Sequence, residues 1–201
     1  MSDRHLGLTL ASKVTLVRLA GIPVFVLLMI YFLNSLKTGE ADVRYRYGAL
    51  GLFMFIALTD ALDGYLARSR NEVTRLGKML DPLADKSLLM AGLILMTRPG
   101  LPALEPQFPI WFTLLVISRD VFIFAGALIL YAHNHRVEVH PRWSGKVATV
   151  VTMFAVVYAL AGFEARIFFG IVMVAGVLTF ISGLQYLLDG IKQYEEGHTD
   201  R

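Results

Sequence analysis

Cysteine is absent from the 201 residues, which excludes disulfides and thiolate metal sites and leaves the redox compartment unreadable. Charge is scarce: only 17% of residues are Asp, Glu, Lys or Arg, less than a soluble domain of this length normally carries. No Ser/Pro/Gly-rich linker, long polar segment, internal repeat or low-complexity tract interrupts the chain, so a single membrane domain over residues 1–201 is expected. Met1 to Ser12 lack the long apolar core and small-residue cleavage site of a signal peptide, so the first apolar span is expected to be retained. Apolar residues are abundant. They make up 56% of the chain and recur in long stretches, so the solvent for most of it is lipid.

Six segments read as transmembrane helices: Val14 to Leu33, Tyr47 to Arg68, Leu80 to Thr97, Pro109 to Ala132, Trp143 to Gly162 and Arg166 to Leu188. Each is long enough to cross a ~30 Å hydrocarbon core at ~1.5 Å per residue. The fold expected is all-α, a polytopic bundle of six membrane helices. In the third segment the apolar part begins only after Lys86, which places its first turns at or beyond the interface. Leu8 to Lys13 reads as a short interfacial lead, and the polar tail from Gln193 onward is expected to fray. The net charge of +3 and pI of about 9.2 come from basic residues that flank apolar spans. Orientation and anionic lipid account for them better than nucleic acid does. With both termini in the cytoplasm, Lys37, Arg44, Arg46, Arg98 and Arg166 lie outside and Arg119 lies within the fourth span. The remaining Lys and Arg lie inside, as the positive-inside rule requires. The three basic residues of the first outer loop run against that bias.

One stretch departs from its surroundings: TDALDGYLARSRNEVTRLGKMLDPLADK, from Thr59 to Lys86. Asp60 and Asp63 stand at i, i+3 near the cytoplasmic end of the second span, and Asp81 and Asp85 at i, i+4 at the start of the third. Each pair shares a helix face, and the short connection makes the two helix ends neighbours. Four carboxylates converging there would drive one another's pKa values up unless cations join them. Oxygen ligands suit Mg²⁺ or Mn²⁺, and two ions can clamp both oxygens of a phosphoryl displacement. Gly64, Ala67 and Gly77 are small enough to admit a bulky polar ligand, and Arg68, one turn beyond Gly64, can meet a phosphate. Plainer roles exist for single residues. Asp81 before Pro82 makes a helix N-cap, Arg68 and Arg70 can snorkel, and Asp63 can pair with Arg68. None of these explains four acids in this spacing. Asp60, an acid within an apolar span, points to function by its position alone.

These residues resemble the CDP-alcohol phosphatidyltransferase family, whose pattern is D-x-x-D-G-x-x-A-R, a gap, then G-x-x-x-D-x-x-x-D. Asp60, Asp63, Gly64, Ala67, Arg68, Gly77, Asp81 and Asp85 match every fixed position. The resemblance implies six helices over nearly the whole chain, with Asp60, Asp63 and Asp81 as the main metal ligands. Asp85 would be the remaining ligand or the general base for the acceptor hydroxyl. Asp63, Gly64, Ala67, Arg68 and Gly77 would hold the cytidine nucleotide. The implied reaction moves a phosphatidyl group from CDP-diacylglycerol to an alcohol and releases CMP, at the membrane interface, with Mg²⁺ or Mn²⁺. A homodimer is the family's expectation, and a bacterial inner membrane suits the compact chain, with the active site facing the cytoplasm.

KVTLVRLAGIP, with Thr15, Arg18 and Pro23, together with ISRDVFIF and PRWSGKVAT, is similar to phosphatidylglycerophosphate synthases and CDP-diacylglycerol-dependent cardiolipin synthases. Asp120 in the SRD form is closer to the latter. Arg119 and Asp120 sit deep in the fourth span, where charges face the bundle interior or a wet cavity. Arg119 would bind an acceptor phosphate or form a buried pair with Asp120 that orients helices. Arg18 and Lys146 divide in the same way between anion binding and snorkelling. A cluster of Arg18, Arg119 and Lys146 suits an anionic acceptor, glycerol 3-phosphate first. Phosphatidylglycerol comes next, and inositol phosphate is a further acceptor the family uses. His133, His135 and His140 share one inner loop with few rigid partners for a metal. A divalent-cation transporter is the competing class. Its site would lie near the midplane rather than at two helix ends, and it would give Arg68 no task.

Overall fold

A computed structural model describes residues 10–70, 86–132 and 143–199, with side chains described over 20–59, 86–126 and 143–189. Among the described residues there are six helices and no strand. They are α1 (Leu10–Lys37), α2 (Val43–Arg70), α3 (Lys86–Leu95), α4 (Ile110–Ala132), α5 (Trp143–Ala161) and α6 (Ala165–Thr199). The chain divides into two compact units. Residues up to 96 with 101–104 form the first, and 97–100 with residues from 105 onward form the second.

In the first unit α1 and α2 form an antiparallel hairpin. Phe25, Met29 and Phe32 recur at helical spacing on the buried face of α1, opposite Ala49, Phe53 and Ile56 of α2. The rings of Phe25 and Phe53 lie 5.8 Å apart. The helices close tightly at Gly21, where a Cβ would stand 2.6 Å from Ile56 Cδ1. Gly39 reverses the chain at φ +84°, a value that favours glycine. Asp42 then caps α2: its Oδ1 accepts from the Arg44 N–H at 3.0 Å. Its own N–H donates to Ser35 Oγ at 3.0 Å, and Ser35 donates to the Phe32 carbonyl. A basic residue in the first turns of α2 has a packing role. Arg46 lies 5.4 Å from the centre of the Phe32 ring, and burial pulls its guanidinium below the ordinary arginine range, a shift that the charge of Tyr47 opposes.

In the second unit α6 is the shared partner: α5 packs on it antiparallel, and α4 packs along it in parallel. The faces that meet are made of small residues. Gly145, Ala148, Thr152, Ala155 and Ala159 of α5 are buried, as are Ala175, Thr179 and Ser182 of α6. Small side chains let apolar helices approach without a hydrophobic drive between them. Thr152 and Thr179 satisfy their hydroxyls on the carbonyls of Ala148 and Ala175, so the seam carries no stranded donor there. Gly176 receives the Trp111 ring of α4, where a Cβ would stand 3.0 Å from Cζ3. Gly162, at φ +74°, and Glu164, whose carbonyl accepts from the Phe168 N–H, turn α5 into α6.

The outward faces are apolar: Val150, Phe154, Phe169, Val174, Val177 and Phe180 are exposed while Thr152, Thr179 and Ser182 are buried. That inversion of the soluble arrangement is stable only in lipid. Three helical stretches are long and apolar enough to cross a membrane among the residues searched: Ala20–Lys37, Trp143–Ala161 and Ala165–Asp189. The protein is an all-helical membrane protein. Of the six expected spans, five fall on α1, α2, α4, α5 and α6; of the third, α3 is described and residues 80–85 lie outside the described residues. One expectation is corrected. The tail from Gln193 does not fray but continues α6 to Thr199, because Lys192, Gln193, Glu195 and Glu196 are good helix formers despite their polarity. At 35 residues, about 52 Å, α6 outlasts a ~30 Å hydrocarbon core.

Candidate active site

Asp60, Asp63, Gly64, Ala67 and Arg68 all fall within the last turns of α2, which runs without a break to Arg70. Their side chains lie outside the described residues, as do Gly77, Asp81 and Asp85 entirely. His133, His135 and His140 lie outside them too, and so does the side chain of Arg18, which falls within α1. Among the described residues no group of three or more His, Asp or Glu stands ready for a metal. Thr59, directly before the first aspartate, donates its hydroxyl to the carbonyls of Phe55 and Ile56, which fixes that side chain on its own helix.

The acceptor candidates are better defined. Arg119 Nη1 donates to Asp120 Oδ1 at 2.8 Å, and each side chain is 11% exposed. Arg119 Nη2 donates to Ser182 Oγ of α6 at 3.0 Å. The Tyr186 ring centre lies 5.7 Å from the guanidinium carbon. Nε of Arg119 is buried and has no hydrogen-bond partner among the described residues. A lone guanidinium in apolar surroundings is costly, and Asp120 neutralises it. Nearby, Ser144 donates to Gln185 Oε1 at 2.6 Å, a polar bridge between α5 and α6. Arg119 is central in α4 yet level with Gly145 in the first turn of α5, so this polar layer lies at one end of the α5 span. Lys146, next to Gly145, is exposed.

Sequence reasoning picked out Arg119 and Asp120 but not Ser182, Gln185 or Tyr186. A usable signal was present: three polar residues at i, i+3 and i+4 in an otherwise apolar span share one face.

The family model for CDP-alcohol phosphatidyltransferase matches residues 8–182. A Bacillus subtilis protein named CDP-diacylglycerol--glycerol-3-phosphate 3-phosphatidyltransferase is 36% identical over 73% of this chain and 74% of its own length. A Shigella flexneri serotype 5b protein of the same name is 34% identical over 88% and 91%. A Mycobacterium tuberculosis protein named as a probable phosphatidylglycerophosphate synthase is 30% identical over 91% and 82%. With the eight motif positions intact and the family model covering most of its length, the chain belongs to the CDP-alcohol phosphatidyltransferase family.

Proposed function

We propose that the protein transfers the phosphatidyl group of CDP-diacylglycerol to a hydroxyl of glycerol 3-phosphate, yielding phosphatidylglycerophosphate and CMP. The observation that carries this reading is the likeness, over up to 91% of the chain, to bacterial proteins named for that reaction. The acceptor hydroxyl oxygen bonds to the phosphorus that carries the diacylglycerol, and the bond from that phosphorus to the CMP oxygen breaks. Asp85 takes the hydroxyl proton, as a carboxylate within hydrogen-bond reach can. Asp63, Gly64, Ala67, Arg68 and Gly77 hold the cytidine nucleotide, with Arg68 on the diphosphate. The donor set Asp60, Asp63, Asp81 and Asp85 is all-oxygen and tetra-anionic, which fits two Mg²⁺ or Mn²⁺ ions. Such ions, when bound, neutralise the diphosphate and the departing CMP.

Arg119, with Arg18 and Lys146, receives the acceptor's phosphate in this reading. The arrangement belongs to a single domain over residues 1–201, with six spans in one bundle and a homodimer as the assembly. Both termini and the site face the cytoplasm at a bacterial inner membrane. Asp120 favours a second reading, phosphatidylglycerol as the acceptor, because the SRD form is similar to cardiolipin synthases. Incubation of purified protein with labelled glycerol 3-phosphate and CDP-diacylglycerol tests the first. Label passing into organic-soluble lipid only when both substrates are present supports it, and label remaining in the aqueous phase sinks it.

A further inference from the structure

Arg119 leaves α4, passes α6 and ends against α5, and the wall it ends against is Gly145. A Cβ at Gly145 would stand 2.6 Å from Arg119 Nη2, 3.1 Å from Ser182 Oγ and 3.4 Å from Tyr186 Cε2. The first distance is too short for any real contact. The atom that would be struck is the tip of a flexible side chain, not backbone. An added methyl therefore pushes the guanidinium away from Ser182, while Ser182 Oγ itself has to give by only a few tenths of an ångström. On its other side Arg119 borders Gly183, where a Cβ would find its Cγ at an ordinary 3.5 Å. The two glycines are not equivalent: only Gly145 controls where the charged end lies.

We propose that Gly145 and Ser182 are positioning residues for acceptor recognition, holding the Arg119 guanidinium in one orientation. Gly145 does so by leaving space, and Ser182 by accepting a hydrogen bond from Nη2. With Nη1 on Asp120 and Nη2 on Ser182, Nε is the one guanidinium nitrogen with no hydrogen-bond partner among the described residues, and its N–H is offered to an anionic oxygen of the acceptor. This inference rests on the reading that Arg119 receives the acceptor's phosphate.

The test is steady-state kinetics of the full chain in lipid nanodiscs with glycerol 3-phosphate and CDP-diacylglycerol varied in turn. Gly145→Ala is expected to raise the glycerol 3-phosphate KM about tenfold or more, the weight of one charge-assisted hydrogen bond, with kcat and the CDP-diacylglycerol KM unchanged. Ser182→Ala, which adds no volume, is expected to move the same parameter in the same direction, and Gly183→Ala to move none. In an Arg119→Lys background Gly145→Ala is expected to add nothing, because Lys has no Nη2 to strike. An equal effect of Gly145→Ala in both backgrounds overturns the proposal, as does a change confined to kcat or to the lipid substrate. Should Gly145→Ala fail to fold, the Ser182→Ala result decides: an unchanged acceptor KM overturns the role. Arg119→Ala separates this inference from the reading beneath it. An unchanged acceptor KM there removes Arg119 from the acceptor site and the positioning role with it. A rise with Arg119→Ala but not with Gly145→Ala or Ser182→Ala overturns the positioning role alone.

Discussion

Asp120→Ala strands a charge. In the native protein Arg119 and Asp120 form a 2.8 Å pair with each side chain 11% exposed, so little water is available to screen either one. Removing one partner of a buried pair costs roughly 3–5 kcal/mol. The Ser182 hydrogen bond and the Tyr186 ring remain to Arg119, and the ring contributes on the order of 0.5–1 kcal/mol. The expected loss therefore sits at the lower end, about 3 kcal/mol. For a chain of this size that corresponds to a fall in Tm on the order of 6–12 °C. Thermal unfolding in detergent reads the shift. Combining Asp120→Ala with Arg119→Met removes both charges and should recover most of the loss, since apolar replacements of a buried pair are often neutral. A double variant as unstable as Asp120→Ala, or a single variant within about 1 kcal/mol of the native protein, would refute the reasoning.

Asp85→Asn should lower turnover by about 10²–10⁴-fold, with CDP-diacylglycerol binding retained in a direct binding assay; native turnover would remove Asp85 as the base. Chelation with EDTA should stop CMP release, and excess Mg²⁺ or Mn²⁺ should restore it; release that persists under chelation argues against the metal reading. Gly21→Ala should destabilise the α1–α2 hairpin by about 1–3 kcal/mol because its methyl meets Ile56 Cδ1, and Ile56→Val should return most of that stability. Equal destabilisation with and without Ile56→Val would place the cost elsewhere.

How far the sequence reached depends on which property carried each feature. Three spans were legible because lipid demands long apolar runs: Ala20–Lys37, Trp143–Ala161 and Ala165–Asp189 are long and apolar enough to cross a membrane and fall on the first, fifth and sixth expected segments. The aspartate motif was legible because spacing alone encodes it. The surroundings of Arg119 were not. A charge in an apolar span announces itself on its own helix, but Ser182 is 63 residues away, and the polar face it shares with Gln185 and Tyr186 carries no mark of which helix it meets. Gly145 was harder still, since its contribution is the absence of a side chain beside a residue of another helix. The continuation of α6 through Glu195 and Glu196 was missed because polarity was read as the end of the helix. Polarity marks the end of the membrane, whereas helix propensity decides where the helix stops.

The identity of the acceptor decides which lipid the enzyme makes. CMP release by purified protein with CDP-diacylglycerol and Mg²⁺ or Mn²⁺, supplied in parallel with glycerol 3-phosphate, phosphatidylglycerol and inositol phosphate, tests it most directly. Release is expected with glycerol 3-phosphate alone. Release with phosphatidylglycerol and none with glycerol 3-phosphate would contradict it and make the protein a cardiolipin synthase.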